Sequence, residues 1–213
     1  MGIEELRKQY RLGGLRKSDM LADPVQQFQN WFQELLKNVP VDWFEPNAMT
    51  LSTVNDQRVT SRIVLLKGVS SKGFTFYTNY ESTKGQQLSA NPNASLVFYW
   101  PFLERQIRVE GSVTKTSRED SKQYFHSRPR GSQLGAVASR QSDPIVSREQ
   151  LERQLADCEA KYKDAEVPLP DDWGGYLLTP SRFEFWQGRE NRLHDRFEYT
   201  LADTEWSLHR LSP

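Results

Sequence analysis

Cations standing beside aromatic rings are where this sequence concentrates its chemistry, and the densest case runs from Phe183 to Arg196. It reads as an aromatic strand, a turn at Gly188 and a second strand carrying Arg192, His194 and Arg196. Successive strand side chains alternate in direction, so these three share one face, with Leu193, Asp195 and Phe197 on the other. Three basic groups in a row beside Trp186 repel one another, which fits a planar anionic ligand lying against them. A solvated sheet face is the plain alternative.

Two more groups of cations stand out. Arg62-Ile63-Val64-Leu65-Leu66-Lys67 is an apolar strand bracketed by charges. On a regular strand Arg62 and Lys67 face opposite ways, so they serve two different anions, or else both simply reach water. In Tyr124–Ser132 a phenol, a guanidinium and a hydroxyl recur every fourth residue at Tyr124, Arg128 and Ser132, all suited to phosphate oxygens. Pro129 and Gly131 break a helix there, so the three converge only through a turn; a solvated basic loop is the other reading. Arg140-Gln141-Ser142-Asp143-Pro144 forms a further polar corner. Metal and nucleophile patterns fail: His126, His194 and His209 are scattered, and there is no Cys-x-x-Cys, His-Glu-x-x-His or Gly-x-Ser-x-Gly. No metal site is expected, and the sequence argues against hydrolysis by a triad or by zinc.

The elements that must position these groups are mostly strands. From Ala48 the period is two, with strands expected over Ala48–Val54, Val59–Val69, Gly73–Asn79, Ser95–Trp100 and Arg105–Lys115, and a last one over Trp206–Leu211. Short connections point to an antiparallel meander or Greek-key barrel, and no G-x-G-x-x-G follows any strand. Asp23-Pro24 opens an amphipathic helix ending near Pro40; short helices are expected over Ser82–Asn91 and from Ser117, and another runs from Ser147 to about Lys163. Val167-Pro168-Leu169-Pro170 is an extended connector. Residues 1–22 form a charged arm broken at Gly13-Gly14, which by itself reads as a frayed terminus.

Composition sets the limits. The 213 residues, with no credible linker, are read as one domain of class α+β, predominantly antiparallel β. Lys+Arg and Asp+Glu balance at 28 each, so no net charge draws nucleic acid or an anionic membrane, and any anion site must be made locally. One cysteine, Cys158, and the lack of an apolar leader or span fit a soluble cytoplasmic protein.

The short motifs RIVLLK (62–67), Phe76-Tyr77-Thr78-Asn79, Leu103-Glu104-Arg105-Gln106, YFHSRPR (124–130), Gln141-Ser142, Val167–Pro170 with Trp173-Gly174-Gly175, Phe185-Trp186-Gln187-Gly188 and RLHDR (192–196) together closely resemble the pyridoxamine/pyridoxine 5′-phosphate oxidases, in colinear order from about Arg7 to the C-terminus. The resemblance implies an FMN-binding split β-barrel with flanking helices. It implies a homodimer with flavin at the subunit interface, and oxidation of pyridoxamine or pyridoxine 5′-phosphate to pyridoxal 5′-phosphate. Dioxygen would accept the electrons to give hydrogen peroxide, with ammonia released from the amine. It assigns FMN contacts to Arg62, Ile63, Val64, Leu65, Leu66, Lys67, Tyr77, Thr78, Lys84, Gln106, Gln141, Ser142, Trp186 and Arg196. The substrate phosphate falls to Lys67, Tyr124, Arg128 and Ser132, and the pyridine ring to Arg192 and His194, the catalytic pair, with His194 the group suited to take a proton. Arg7 and Tyr10 match an arm that closes over bound substrate, which replaces the frayed-terminus reading. One departure is that Thr83 stands where the family usually has Arg, leaving a hydroxyl for the FMN phosphate in place of a guanidinium.

Two other readings remain at this level: a flavin or pyridoxal-phosphate carrier without turnover, and an RNA-binding barrel. The second cationic cluster speaks against the first and the balanced charge against the second.

Overall fold

A computed structural model describes residues 2–37, 39 and 41–213. The end of the first helix, expected near Pro40, lies outside the described residues.

Every strand pairing is antiparallel. β1 (Ala48–Asn55) and β2 (Arg58–Leu65) form a tight hairpin in which Asp56 takes φ 51°, a left-handed conformation that Asp tolerates better than most residues. The long strand expected over 59–69 is two strands. Leu66 N–H donates to Asn47 O (2.8 Å) and Lys67 N–H to Thr75 O (2.8 Å), so the chain changes partners between them. It enters β3 (Gly68–Ser70), which pairs with β4 (Gly73–Asn79). With β5 (Asn93–Trp100), β6 (Arg105–Lys115) and β7 (Trp173–Gln187), the strand order is β2-β1-β5-β6-β7-β4-β3. The two ends of that path are successive in the chain, so the sheet closes on itself and the partner switch at Leu66-Lys67 is the closure.

β7 runs for 15 residues because it serves two neighbours. Its first half pairs with β4, and its second half, from Arg182, pairs with β8 (Asp195–Ala202), which carries β9 (Glu205–Leu211). A register shift at Glu110/Gly111 on β6 marks the bend. Gly111 is required there, since a Cβ would lie 2.1 Å from Thr179 O.

Alternation along the strands fills the interior. Phe74, Phe98, Trp100, Phe183, Phe185 and Phe197 are fully buried, and α1 (Pro24–Lys37) lays Phe28, Trp31 and Leu35 over them. Phe28 meets Phe74 and Phe98 at 4.9 Å between ring centroids, and Trp31 meets Phe185 at 5.2 Å. α2 (Thr83–Ala90) is capped by Ser82, α3 (Arg118–Ser127) by Ser117 and α5 (Arg148–Lys161) by Ser147, each hydroxyl accepting an N–H of the first turn. Between α3 and α5 lies α4 (Arg130–Ala138), a helix that the sequence reading did not anticipate. A second, smaller core of Phe125, Leu134, Val167 and Trp173 fastens α3 and α4 to the start of β7. No described helix is long and apolar enough to cross a membrane, and no described group of His, Cys, Asp and Glu is arranged to hold a metal.

Candidate active site

The closure of the barrel leaves a cavity of about 620 Å³ between the end of β2, the end of β4, α2, and the break between α3 and α4. Ile63, Val64 and Leu65 give it an apolar side, and Lys67 joins the lining after them. Leu66 does not; its side chain is 5% exposed and packs in the core, and its N–H and C=O both bond to Asn47. Arg62 is also outside the lining, its guanidinium taken up by Leu51 O, Thr53, Thr60 and Gln87 in the barrel wall.

At α2 the cavity holds one cation ringed by oxygens. Lys84 Nζ donates to Gln141 Oε1 (2.9 Å), Thr78 Oγ1 (3.1 Å) and Ser82 Oγ (3.2 Å). Burial, and then the nearby Arg62 guanidinium, push this ammonium down to about 8. No carboxylate is among its bonded partners, so a bound anion would be its natural counter-charge. Thr83 and Ser142 lie beside this group but outside the lining, Thr83 N–H donating to Ser142 Oγ (3.2 Å).

The other polar group stands on aromatic rings. Tyr77, Tyr124 and Trp173 form a nearly parallel stack, with Tyr77 and Tyr124 centroids 3.9 Å apart, and the Arg128 guanidinium lies 4.8 Å from the Trp173 ring. The turn foreseen at Pro129 exists: α3 stops at Ser127, α4 starts at Arg130, and Tyr124, Arg128 and Ser132 all reach the same cavity. Arg128 Nη1 is buried with no hydrogen-bond partner, and burial lowers the pKa of the group. An unpaired buried donor on a charged group is costly, so this guanidinium is arranged for a ligand that arrives with oxygens.

A second constellation lies outside that lining. Tyr10 meets Trp186 at 5.4 Å and His194 at 5.6 Å, both edge-on, and Trp186 meets His194 at 4.6 Å. Gln106, Trp186 and Arg196 stand opposite one another on β6, β7 and β8, forming one cross-strand row. The row is half-buried, whereas the following residues Ile107, Gln187 and Phe197 are buried. Glu184, 4% exposed, grips Arg196 through both oxygens (2.8 and 3.1 Å). Arg192 does not share a strand face with Arg196 as the alternation predicted. Glu190–Arg192 is a 3₁₀ turn, Asn191 and Arg192 have φ 55° and 61°, and β8 begins only at Asp195. Those two left-handed residues destroy the period of two. His194 Nδ1 accepts the Arg189 N–H (3.1 Å), and burial, with Arg192 next, pushes its pKa below the ordinary 6.5. Arg7 is exposed.

Comparison with known proteins decides the family. The pyridoxamine 5′-phosphate oxidase model matches residues 33–162, and the pyridoxine 5′-phosphate oxidase C-terminal dimerisation region matches 173–213. The chain belongs to the pyridoxamine 5′-phosphate oxidase family. It is 56% identical to the pyridoxine/pyridoxamine 5′-phosphate oxidase of Rhodopirellula baltica over 99% of this chain and 96% of that one. It is 52% identical to the enzyme of the same name from Rubrobacter xylanophilus, over 98% and 95%. Among solved structures, PhzG from Burkholderia lata, in complex with tetrahydrophenazine-1-carboxylic acid, superposes with a TM-score of 0.86 at 28% identity, covering 93% of this chain and 98% of that one. A pyridoxamine 5′-phosphate oxidase-related, FMN binding protein from Nostoc punctiforme, at 20% identity and a TM-score of 0.68 over 91% and 100%, shares the fold. The architecture is thus the split barrel of this family, and Arg192, His194, Trp186 and Arg196 all fall in its dimerisation region.

Trp173, Asn79 and Ser139 line the cavity without having been singled out as site residues, and Glu184 was missed as the partner of Arg196. The Trp173 signal was in plain view beside Gly174-Gly175. Glu184 carried none, because its pairing appears only once β7 and β8 are in register.

Proposed function

We propose that this protein oxidises pyridoxamine 5′-phosphate and pyridoxine 5′-phosphate to pyridoxal 5′-phosphate as an FMN-dependent homodimer. The observation that carries the reading is that one cavity holds two separate anion seats: Lys84 in its ring of oxygens, and Arg128 with a buried donor unpaired. A protein that merely stores flavin needs one phosphate seat; two seats fit two phosphorylated molecules brought together. The Lys84 group, with Thr78, Gln141 and the strand of Ile63–Leu65, suits FMN, and Lys67, Tyr124, Arg128 and Ser132 suit the substrate phosphate. FMN held there would supply a hydride acceptor for the substrate C4′ carbon, with dioxygen as the final oxidant and hydrogen peroxide as its product.

The chain's own part is placement. A phosphate held by Arg128, Lys67, Tyr124 and Ser132 fixes the far end of a small ring and so restricts its reacting carbon to one region, which is worth a large share of the barrier. The second constellation completes the site from a second copy. Ile63 is 65% exposed although it lines the cavity, and Tyr99, opposite Gln106, and Leu193, next to His194, are exposed as well. In the proposed dimer, Arg192 and His194 of the partner subunit would face this cavity, and the row Gln106, Trp186 and Arg196 of the partner subunit would form its other wall. His194 acts there as a donor: with Nδ1 occupied by the Arg189 N–H and its pKa lowered, the neutral ring carries its proton on Nε2. This differs from the proton-accepting role expected of it, which would require Nδ1 to give up its bond.

The PhzG likeness favours a second reading, oxidation of a reduced aromatic carboxylate. Arg128 would serve a carboxylate, but the added donors of Lys67, Tyr124 and Ser132 exceed what two oxygens need. The test is the absorbance spectrum of the purified protein under nitrogen. A flavin spectrum bleached by pyridoxamine 5′-phosphate and restored by air, with peroxide formed, supports the reading. Flavin that bleaches only with a reduced phenazine carboxylate, or no flavin at all, overturns it.

A further inference from the structure

The arm before α1 is tied down at one buried carboxylate that no part of the proposed chemistry uses. Glu104 sits in the turn between β5 and β6 with its side chain 4% exposed. Its Oε2 accepts the N–H groups of Arg11 (2.7 Å) and Leu12 (3.0 Å), and Lys8 Nζ stands 3.6 Å from Oε1. Every one of these partners belongs to the arm, across more than 90 residues of chain. The residue is held at φ 52°, a conformation disfavoured for a side chain of this kind. Its own C=O is fastened to the end of β7, accepting from Gly188 N–H (2.8 Å) and Gln187 Nε2 (3.2 Å). The same turn therefore grips the strand that carries Trp186 on one side and the arm that carries Tyr10 on the other.

We propose that Glu104 is a positioning residue, a latch whose carboxylate holds the arm so that Tyr10 covers Trp186 and His194. Tyr10 packs against Gly188 so closely that a Cβ on that glycine would fall 2.7 Å from the Tyr10 ring. Only a glycine at 188 admits this contact. Beyond the latch, a second tie limits what the latch controls: Leu15 is buried, its N–H donates to Asp195 Oδ2 (2.9 Å), and its C=O accepts from Arg210 (2.9 Å). Between the two ties lies Gly13-Gly14, and around Gly13 nothing stands within 4 Å of a built Cβ. Release at Glu104 therefore loosens the segment up to Leu12, which keeps the exposed Arg11–Glu190 ion pair (3.5 Å) and the Tyr10 ring contacts, and leaves the remainder docked. Without the arm, the Glu104 side chain would keep none of these partners, so the tie is cooperative: the docked arm and the Glu104 oxygens support each other.

The functional consequence rests on the proposed oxidase reading, in which Tyr10 and Arg7 lie next to the substrate. The test compares Glu104→Ala, Glu104→Gln and Tyr10→Ala holoenzymes by limited trypsin cleavage and by steady-state kinetics. Gln keeps an oxygen able to accept both N–H groups, so Glu104→Gln should stay near wild type while Glu104→Ala is cut rapidly at Lys8 and Arg11. Glu104→Ala should raise KM for pyridoxamine 5′-phosphate about tenfold with kcat within about twofold and FMN content unchanged. Added to Tyr10→Ala it should cost little more, because the latch acts through the residue already removed. Additive losses in the double variant, unchanged cleavage, or a fall in FMN content and thermal stability without selective cleavage of the arm would each overturn the latch. Wild-type protein lacking oxidase activity would overturn the functional reading, and the cleavage comparison would still decide the latch.

Discussion

Lys84 should make FMN binding depend on pH in a way that riboflavin binding does not. Its ammonium is depressed from the ordinary 10.5 to about 8, by burial first and then by Arg62. The sign follows from the proton count. Between those two values the folded apo protein holds fewer protons than the unfolded chain, so the apo protein gains stability as pH rises through the window and loses it as pH falls through about 8. A phosphate that docks on Lys84 draws the proton back, so binding weakens over the same window. At about pH 7 some 90% of free sites carry the charge, and at about pH 9.5 roughly 3%; a ligand restoring the ordinary value would bind up to about 30-fold more weakly at the higher pH. Water reaching the partly exposed amine reduces this to about tenfold. The assay is flavin fluorescence quenching on apo protein, with FMN and riboflavin titrated at both pH values. Lys84→Gln should bind FMN more weakly at neutral pH and lose the slope. Equal pH dependence for FMN and riboflavin, or a slope that survives in Lys84→Gln, would refute the placement of the phosphate at Lys84.

Three further expectations concern other parts of the structure. Arg192→Ala should lower kcat/KM for pyridoxamine 5′-phosphate severely with flavin retained, whereas Arg128→Ala should act mainly through KM; steady-state kinetics on yellow protein separates the two. Thr83→Arg, which puts a guanidinium next to the Ser142 corner, should tighten FMN by a charge-assisted contact of about 1 kcal/mol, and a Kd equal to wild type would dismiss it. Phe28→Ala empties the junction between α1 and the barrel, where Phe28 is 0% exposed, and should cost about 3–5 kcal/mol by denaturant unfolding.

How much of this was legible depended on the range of each interaction. The Ser82, Ser117 and Ser147 caps, the hairpin at Asp56 and the break at Pro129 are written in neighbouring residues, and the chain obeys them. Where the local signal was ambiguous, reading by alternation failed. Arg62–Leu66 looked like part of one uninterrupted strand because partner switching leaves no mark in the side-chain pattern. Arg192 looked like a strand residue because nothing in Asn191-Arg192 announces two successive left-handed conformations. The arm looked frayed because its anchors, Glu104 and Asp195, lie far away in the chain.

The proposed composite site was legible only through the family resemblance, and the geometry explains why. Gln106, Trp186 and Arg196 were grouped with Lys84 by role, yet in one chain they form a row across three strands rather than a wall of the cavity. Glu184 fixes Arg196 within that row and in turn receives Arg108 (3.1 Å), so the cation is set before any ligand comes. A fixed row of polar groups on one sheet face, covered only at Trp186 by Tyr10, does not by itself enclose a small molecule; a second body laid against it would turn it into a wall. The cavity has the complementary defect, an exposed Ile63 and an unpaired Arg128. Each half lacks what the other presents, which is the physical argument for the proposed site built from two copies.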